Sequence, residues 1–496
     1  MLFAMTTAIG SATTFLAMRL WPVWPHRFQG CDAFNILLCS ESVRQRKRLP
    51  PFTPDLFILE EPEQWYPPLF FLLCALIPEK WLKQRYWLMN QLVDLLNAAL
   101  LFGFVSCFSG SPIAATAAVV IYAMMAGLVQ EFAALTTRPL GLLVLNLFLL
   151  CGYLASADLR FLPLALLAGV LLVYGHKLSA QQAWFSLPII AVATGNWVWI
   201  ALLPGTYLLA ASLWPHGFRK TMEGHLAIVR FWDRNWPLLG AHMVRQSPVY
   251  GDGTTIRQFY AADRAATPIG FLKETLHQNY FLLPAVITLI GQPASPLIMT
   301  LGAWIGSVYL TAAMIHFIPA LRGIGLGRQY IKFALLPSLT LTASHFSTEA
   351  DWPILLAAAL ALILTVRQYS LVARAMRAPS ASGATGTKTP ALSQLLDYLR
   401  ADPSARVLAL PVHLCDLVAY ETRRPVYWGT HAQVFDERLE AFFPVLKQPL
   451  GHYVEDGNLN RLLLDTQYAG AEELGLRAED LIEQSGVYAL YRLGKG

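Results

Sequence analysis

Long apolar runs separated by short polar corners occupy most of the chain up to about residue 375. Runs at 92–108, 113–129, 140–155, 162–174 and 184–213 follow one another closely, and runs at 281–290, 297–318, 333–343 and 352–366 form a second group. A helix that crosses a bilayer needs roughly 20 mostly apolar residues, because backbone N–H and C=O groups find no partner in hydrocarbon. The pattern predicts about 10 to 13 spans, the shorter runs being tilted, broken or buried among neighbours. Residues 1–20 are also apolar but lack a positive leading segment, so they read as an uncleaved first span and not as a signal peptide.

Two polar stretches interrupt this pattern, 21–85 and 215–279, both too long for turns. Near residue 378 the texture changes. The stretch 378–390 is small, polar and flexible, which marks a linker. Beyond it, 391–496 alternates like a soluble α/β domain and is long enough for one core. Residues 392–400 carry helical periodicity, while 406–410, 424–428, 462–465 and 487–491 read as short strands. The fold class expected is an α-helical polytopic membrane bundle over 1–377, with the first polar loop at 21–85, followed by a small C-terminal α/β domain. Topology is left open by the charges. Arg219 and Lys220 mark one cytoplasmic end, and Arg367, Arg374 and Arg377 favour a cytoplasmic tail. The parity depends on whether 184–213 is one span or two.

Composition sharpens the membrane reading. Hydrophobic residues make up 55% of the chain and charged ones 14%, where a soluble chain carries about a quarter. The mean hydropathy is +0.45. A formal charge of +5 with no basic run interleaved with aromatics gives no sign of a nucleic-acid partner. The six cysteines form no CxxC pair and no Cys/His group with zinc spacing, so neither a disulfide framework nor a structural metal is signalled. The absence of any N-x-S/T sequence is consistent with a bacterial inner-membrane protein.

Ionisable groups at membrane depth or at the mouth of a span are costly, and so are candidates for function. Asp32 follows the first span and precedes 33–46, which has the pattern of an amphipathic surface helix. It is either a general base for a sugar hydroxyl or the cap of that helix. Tyr66, in the stretch Glu63-Gln64-Trp65-Tyr66-Pro67-Pro68, is either an interfacial anchor or a substrate-positioning group. Glu131 and Arg138 flank a turn between two runs. They either pair, or Arg138 binds a phosphate while Glu131 orients an acceptor. Two runs later come His176 and Lys177, and alternation of spans puts their turn on the same membrane face as that of Arg138. The same count places Asp32 on that face. Cations gathered there suit a lipid phosphate at headgroup depth, although Lys177 also reads as a snorkelling side chain. Arg322, Arg328 and Lys332 form a further basic connection, a phosphate contact or an ordinary charged loop. In the tail, His413 and Trp428-Gly429-Thr430-His431 read as structural.

The first span, the acid in a long polar loop, the Tyr-Pro-Pro turn and the short-looped spans with charged corners together resemble the GT-C glycosyltransferases, over roughly residues 1–375. The tail segments RVLALPVHLCDLVAYETRRPVYWGTHAQVF and LLLDTQY are similar to the soluble domain that ends the bacterial branch. The resemblance implies a polyprenyl-phosphate-sugar donor and a glycan, lipid or protein acceptor at the extracytoplasmic face. It implies inverting transfer with Asp32 as catalytic base and Arg138, His176 and Lys177 on the leaving phosphate. Outside the resemblance, Glu131 is a second candidate acid and Arg328 a further candidate contact to the donor phosphate. It also implies an extracytoplasmic tail. Ala33 stands where the family often has a second acid, so no cofactor is certain and a divalent metal is left open. The alternatives are a glycan ligase or polymerase, which should show a large late loop, and a transporter or flippase of lipid-linked sugars, which tends to show internal repeats and mid-membrane charges. No repeat is found, and the charges considered sit at loop mouths.

Overall fold

A computed structural model describes residues 2–25, 32–53, 55–59, 61–235, 268–345, 352–378, 388–429, 437–443 and 446–494. The fold is a helical bundle with a small C-terminal mixed sheet, as the two hydrophobic periodicities predict. The chain divides into two compact units. One holds residues 1–27, 87–219 and 268–381, and the other 28–86, 220–267 and 382–496. Most of the predicted linker (379–387) and the middle of the second polar stretch (236–267) lie outside the described residues.

The first unit is helical. It comprises α1 (Leu2–Val23), most of α4 (Glu79–Ser109), α5 (Pro112–Ala123), a short α6 (Ala126–Glu131), α7 (Arg138–Ala157), α8 (Leu162–Val173), α9 (Lys177–Thr194) and α10 (Val198–Leu213), and then α12 (Pro268–Gln278), α13 (Leu282–Gly291), α14 (Pro296–Phe317), α15 (Leu335–His345) and α16 (Trp352–Arg377). Local chemistry sets several starts. Ser111 and Ser295 accept from the backbone N–H groups of Ala114 and Ile298, and Pro112 and Pro296 follow them with φ already suited to a helix. By length and composition α4, α7, α14 and α16 are able to cross a membrane, and several further apolar helices of 10–17 residues are shorter. Breaks inside the long runs account for the short pieces. The run 184–213 is two helices, because Gly195 (φ 65°) ends α9 in the left-handed conformation. The run 113–129 breaks at Met124 and Met125 into α5 and α6.

Sequence reading put the charges at loop mouths; one ion pair corrects that. Arg19 on α1 and Asp94 on α4 lie 3.0 Å apart, 1% and 0% exposed. Tyr122 of α5 donates to Asp94 at 2.5 Å, and its carbonyl accepts from Arg19 at 3.3 Å. The rings of Phe15 and Tyr122 flank the guanidinium, each 5.4 Å away. The opposite charges cancel, so the cluster presents no net charge to its apolar surroundings, and it joins three helices at one point.

The second unit is built on a sheet of order β1-β2-β4-β3, from β1 (Val407–Leu410), β2 (Arg461–Asp465), β3 (Leu481–Ser485) and β4 (Tyr488–Arg492). β1 and β2 run parallel, and β4 is antiparallel to both β2 and β3. The predicted strand at 424–428 is instead an extended segment with single bridges, Val426 to Val407 and Val426 to Phe57. Pro425 has no N–H and only accepts, from Val407 at 2.8 Å. Leu481–Ser485 is a strand the alternation did not predict, since its side chains are mostly half-exposed and polar.

The first polar loop adds to this unit. Ile58 and Leu59 donate to the carbonyls of Val426 and Tyr427 at 2.9 and 3.0 Å. The helices α2 (Asp32–Arg46), α3 (Leu69–Ala75) and α17 (Pro390–Ala401) belong to it as well, and α2 packs against α3 and α18 (His413–Thr422). Residues 33–40 of α2 are all buried, so it is a packed helix and not the two-faced surface helix expected from sequence. Phe231 and Trp232, near the end of α11 (Pro215–Asn235), complete the core against Phe443, Phe231 stacked at 5.7 Å and Trp232 edge-on at 5.6 Å.

Removing one partner of a buried pair strands the other charge, at a cost of about 3–5 kcal/mol, whereas replacing both with apolar groups costs far less. Arg19→Met or Asp94→Asn alone should therefore lower the thermal midpoint in detergent markedly, and Arg19→Met combined with Asp94→Leu should recover much of the loss. Equal midpoints for Asp94→Asn and wild type would show that the pair contributes nothing to stability.

Candidate active site

The site in the bundle begins with a polar stripe on α4. Asn90, Gln91 and Asn97 lie in an apolar helix, with 90, 94 and 97 on one face. All three amides are buried; Asn90 and Gln91 bond to the connection between α6 and α7, and Asn97 bonds to the first turn of α7. Asn90 donates to the carbonyl of Ala134 and accepts from the Thr136 N–H at 3.3 Å. Gln91 donates to Phe132 O at 2.9 Å, and Asn97 to Pro139 O at 3.1 Å. Such a connection needs partners for its backbone when water is excluded, and the amides supply them.

This fixes Glu131 at the end of α6 and Arg138 at the start of α7. They pair, Arg138 Nη1 to Glu131 Oε1 at 3.0 Å. The same oxygen accepts from Lys332 Nζ. Lys332 comes from a 3₁₀ segment, Gly327–Ala334, that lies against α14 so closely that a side chain at Gly327 would meet the Ala312 carbonyl. Tyr330 of that segment donates to Gln181 of α9 at 2.9 Å.

Electrostatics follow from this packing. Burial pushes the Glu131 carboxyl up, but Lys332 and Arg138 outweigh it and hold it below the usual range. Burial lowers Lys332; Glu131 opposes that, and Arg138 adds to it. Lys177 lies in the polar residues ahead of the apolar run at 184. Burial, reinforced by the charge of Arg138, brings it down to about 8. It has no carboxylate partner among the described residues. Arg138 and Lys332 therefore share one carboxylate, and Lys177 adds a cation near Arg138 that is unmatched among the described residues, an arrangement suited to an anion. His176 packs beside them on α7, its ring against Gly141, where a Cβ would lie 2.5 Å from the ring, and its Nδ1 is 3.0 Å from Ser179 Oγ.

Of the residues singled out from sequence, Glu131, Arg138 and Lys177 thus form one electrostatic group, with His176 beside Lys177. Arg328 does not join them, because it pairs with Glu274 of α12 at 3.1 Å. Lys332, four residues on, is the basic residue of that connection that reaches Glu131. Asn90, Gln91 and Asn97 were missed, although three amides inside the apolar stretch of α4 are themselves a signal of a buried polar face.

Asp32 and Tyr66 belong to the other unit. Asp32 is the first residue of α2 and half-buried, at the helix end where free N–H groups favour a carboxylate. Tyr66 packs with Trp65 (5.6 Å between ring centres) and Phe71 (6.3 Å), and Trp65 faces His225 at 5.9 Å. In the tail, Trp428 is buried against Phe443, and Thr430 and His431 lie outside the described residues. Among the described residues no three His, Cys, Asp or Glu side chains come together as metal ligands.

No family model matches the chain, and no curated protein matches it in sequence. Solved structures do match. The oligosaccharyltransferase of Archaeoglobus fulgidus in its apo form aligns over 93% of this chain and 69% of its own, with a TM-score of 0.61 at 11% identity. The same figures hold for that organism's oligosaccharyltransferase AglB in complex with an inhibitory peptide and a dolichol-phosphate. A further structure of the Archaeoglobus enzyme, with zinc and sulfate, aligns over 96% of this chain and 71% of its own, with a TM-score of 0.59 at 12% identity. The fold is that of these oligosaccharyltransferase structures.

The close seat of His176 on Gly141 gives a test. Gly141→Ala places a methyl group within 2.5 Å of the imidazole and forces the ring away. The variant should fold with a modestly lowered midpoint and lose binding of inorganic phosphate at the cation cluster several-fold. Unchanged binding would separate His176 from the cation cluster in function.

Proposed function

We propose that the protein is an integral-membrane glycosyltransferase that moves a sugar from a polyprenyl-phosphate donor to a glycan, lipid or protein acceptor, at the extracytoplasmic face of a bacterial inner membrane. The observation that carries this reading is the cluster in which Arg138 and Lys332 pair with Glu131 while Lys177, close enough to feel the charge of Arg138, has no carboxylate partner among the described residues. A lipid-borne phosphate would give Lys177 its counter-charge. The GT-C fold is consistent with such a donor.

In the proposed reaction an acceptor hydroxyl attacks the anomeric carbon while the bond from that carbon to the phosphate oxygen breaks. The configuration inverts, and polyprenyl phosphate leaves with the electron pair. Arg138 and Lys177, with His176 beside them, stabilise the charge that grows on the leaving phosphate. Glu131 is doubly ion-paired and held in its ionised form, which makes it a weak base. Its proposed part is to hold Arg138 and Lys332 in place. The proton of the acceptor goes to Asp32, whose assignment as base rests on its place in the first polar loop. Tyr66 is proposed to position substrate, and Arg328 to be an outer phosphate contact that exchanges Glu274 for the donor.

The test is sugar transfer in proteoliposomes from a panel of polyprenyl-phosphate sugars. Asp32→Asn should lower transfer by about 10²–10⁴-fold with donor binding intact. Arg138→Gln should lower it by roughly 10²–10³-fold. Transfer that survives Asp32→Asn would move the base elsewhere while leaving the class standing. Transfer of no sugar from any donor, with acceptors of all three classes supplied, would count against the class and favour a flippase.

Acidity offers an independent check. Lys177 is charged below about 8 and neutral above it, so donor binding should weaken as pH rises through that value. Bound phosphate favours the ammonium, which moves the midpoint upward. Lys177→Arg stays charged and should abolish the fall on the alkaline side. A wild-type profile flat between pH 7 and about 10 would remove Lys177 from the phosphate site.

A further inference from the structure

Within the second unit, the C-terminal half of α2 borders a cleft of about 360 Å³ that the chemistry above does not use. Its wall includes Leu38, Glu41, Ser42, Arg46, Phe52 and Arg423. Ser42 clamps the loop residue Phe52 to the helix from both sides, donating to its carbonyl at 2.7 Å and accepting from its N–H at 2.9 Å. The Phe52 ring in turn holds the Arg46 guanidinium at 4.1 Å from its centre. Arg423, at the end of α18, comes from the far side.

Charge in the cleft is unbalanced. Both oxygens of Glu41 are taken, Oε2 by Arg423 at 2.6 Å and Oε1 by Gln45 at 3.2 Å. Arg423 spends one nitrogen on that pair, and Arg46 has no carboxylate partner among the described residues. Among the lining residues one acid faces two guanidiniums. Glu79, which also feels Arg423, is paired with Lys83 at 2.5 Å and lies 4.0 Å from Arg44, so a positive charge remains beside the apolar groups Leu38 and Phe52. A volume at the lower end of the range for small-molecule pockets suits a small polar body with an acidic substituent. At 1.5 Å per residue, Glu41 lies about 14 Å along α2 from Asp32, too far for the reacting hydroxyl. Contacts to a remote part of a substrate still serve catalysis, since their energy orients the reacting end.

We propose that this cleft is a remote acceptor subsite that takes an acidic sugar residue, its carboxylate or phosphate bound by Arg46 and by the spare nitrogens of Arg423. The assignment to an acceptor rests on the transferase reading; the preference for an acidic sugar does not.

The experiment is direct binding to the full-length protein in detergent, using a hexuronic-acid disaccharide and its neutral hexose counterpart as probes. Wild type should bind the acidic disaccharide roughly tenfold or more tightly, the scale of one charge-assisted contact. Arg46→Gln should erase that preference, and Arg46→Lys should keep part of it. Glu41→Gln, which frees Arg423, should strengthen binding of the acidic disaccharide several-fold, an outcome that a merely structural pair would not produce. Equal affinity for the two disaccharides, binding of neither, or a preference that persists in Arg46→Gln would overturn the proposal. Donor hydrolysis without acceptor, measured in parallel, should be the same in wild type and Arg46→Gln. Its absence from wild type would count against the transferase reading, while the disaccharide preference would stand or fall on its own.

Discussion

A backbone turn enclosed by apolar helices must find a partner for each of its N–H and C=O groups, and the connection between α6 and α7 meets that demand on two amides of α4, while a third holds the first turn of α7. Asn90, Gln91 and Asn97 bond to Phe132, Ala134, Thr136 and Pro139, and the two ends of the connection are Glu131 and Arg138. The constraint that makes the turn stable is thus the one that aims the site. An apolar replacement in this stripe would leave buried backbone groups unpaired and release the charged ends together.

Charge is handled in two ways in the bundle. Arg19, Asp94 and Tyr122 form a closed group, its charges cancelled and its members on three helices. Glu131, Arg138, Lys177 and Lys332 form an open one, with more cations than acids among the described residues and with Arg138 36% exposed. Burying a charge without a partner is expensive, so an excess is tolerable only where an ion comes and goes or water reaches the site. That difference separates a structural ion pair from a group fit to bind an anion. Depth along the chain does not.

In the second unit the first polar loop and the tail share one core. Phe57 bridges Val426, and Phe34, Leu38, Phe231 and Trp232 pack with the sheet residues. The tail is therefore not closed by its own residues alone. Its β1 edge is covered by the 424–428 segment, and that segment by the loop at 56–59, which removes exposed pairing groups from the sheet.

The membrane class, the bundle and the α/β tail were legible in the sequence, since helical runs, alternation and the change of texture near 378 are local properties of the chain. So were Glu131 and Arg138 as charged corners, and the side-by-side placement of the turns bearing Arg138 and Lys177, because the alternation of spans is a local count. What tertiary structure decided is how those charges are shared. Lys332, more than 190 residues beyond Arg138, joins Glu131, while its neighbour Arg328 turns to Glu274. No local pattern distinguishes the two, because partner choice depends on how closely Gly327 lets its segment approach α14. The same holds at 424–428, which alternates like a strand yet makes single bridges, since Pro425 cannot donate and its neighbours come from distant parts of the chain. Periodicity is written in neighbouring residues; pairing is settled by residues that only folding brings together.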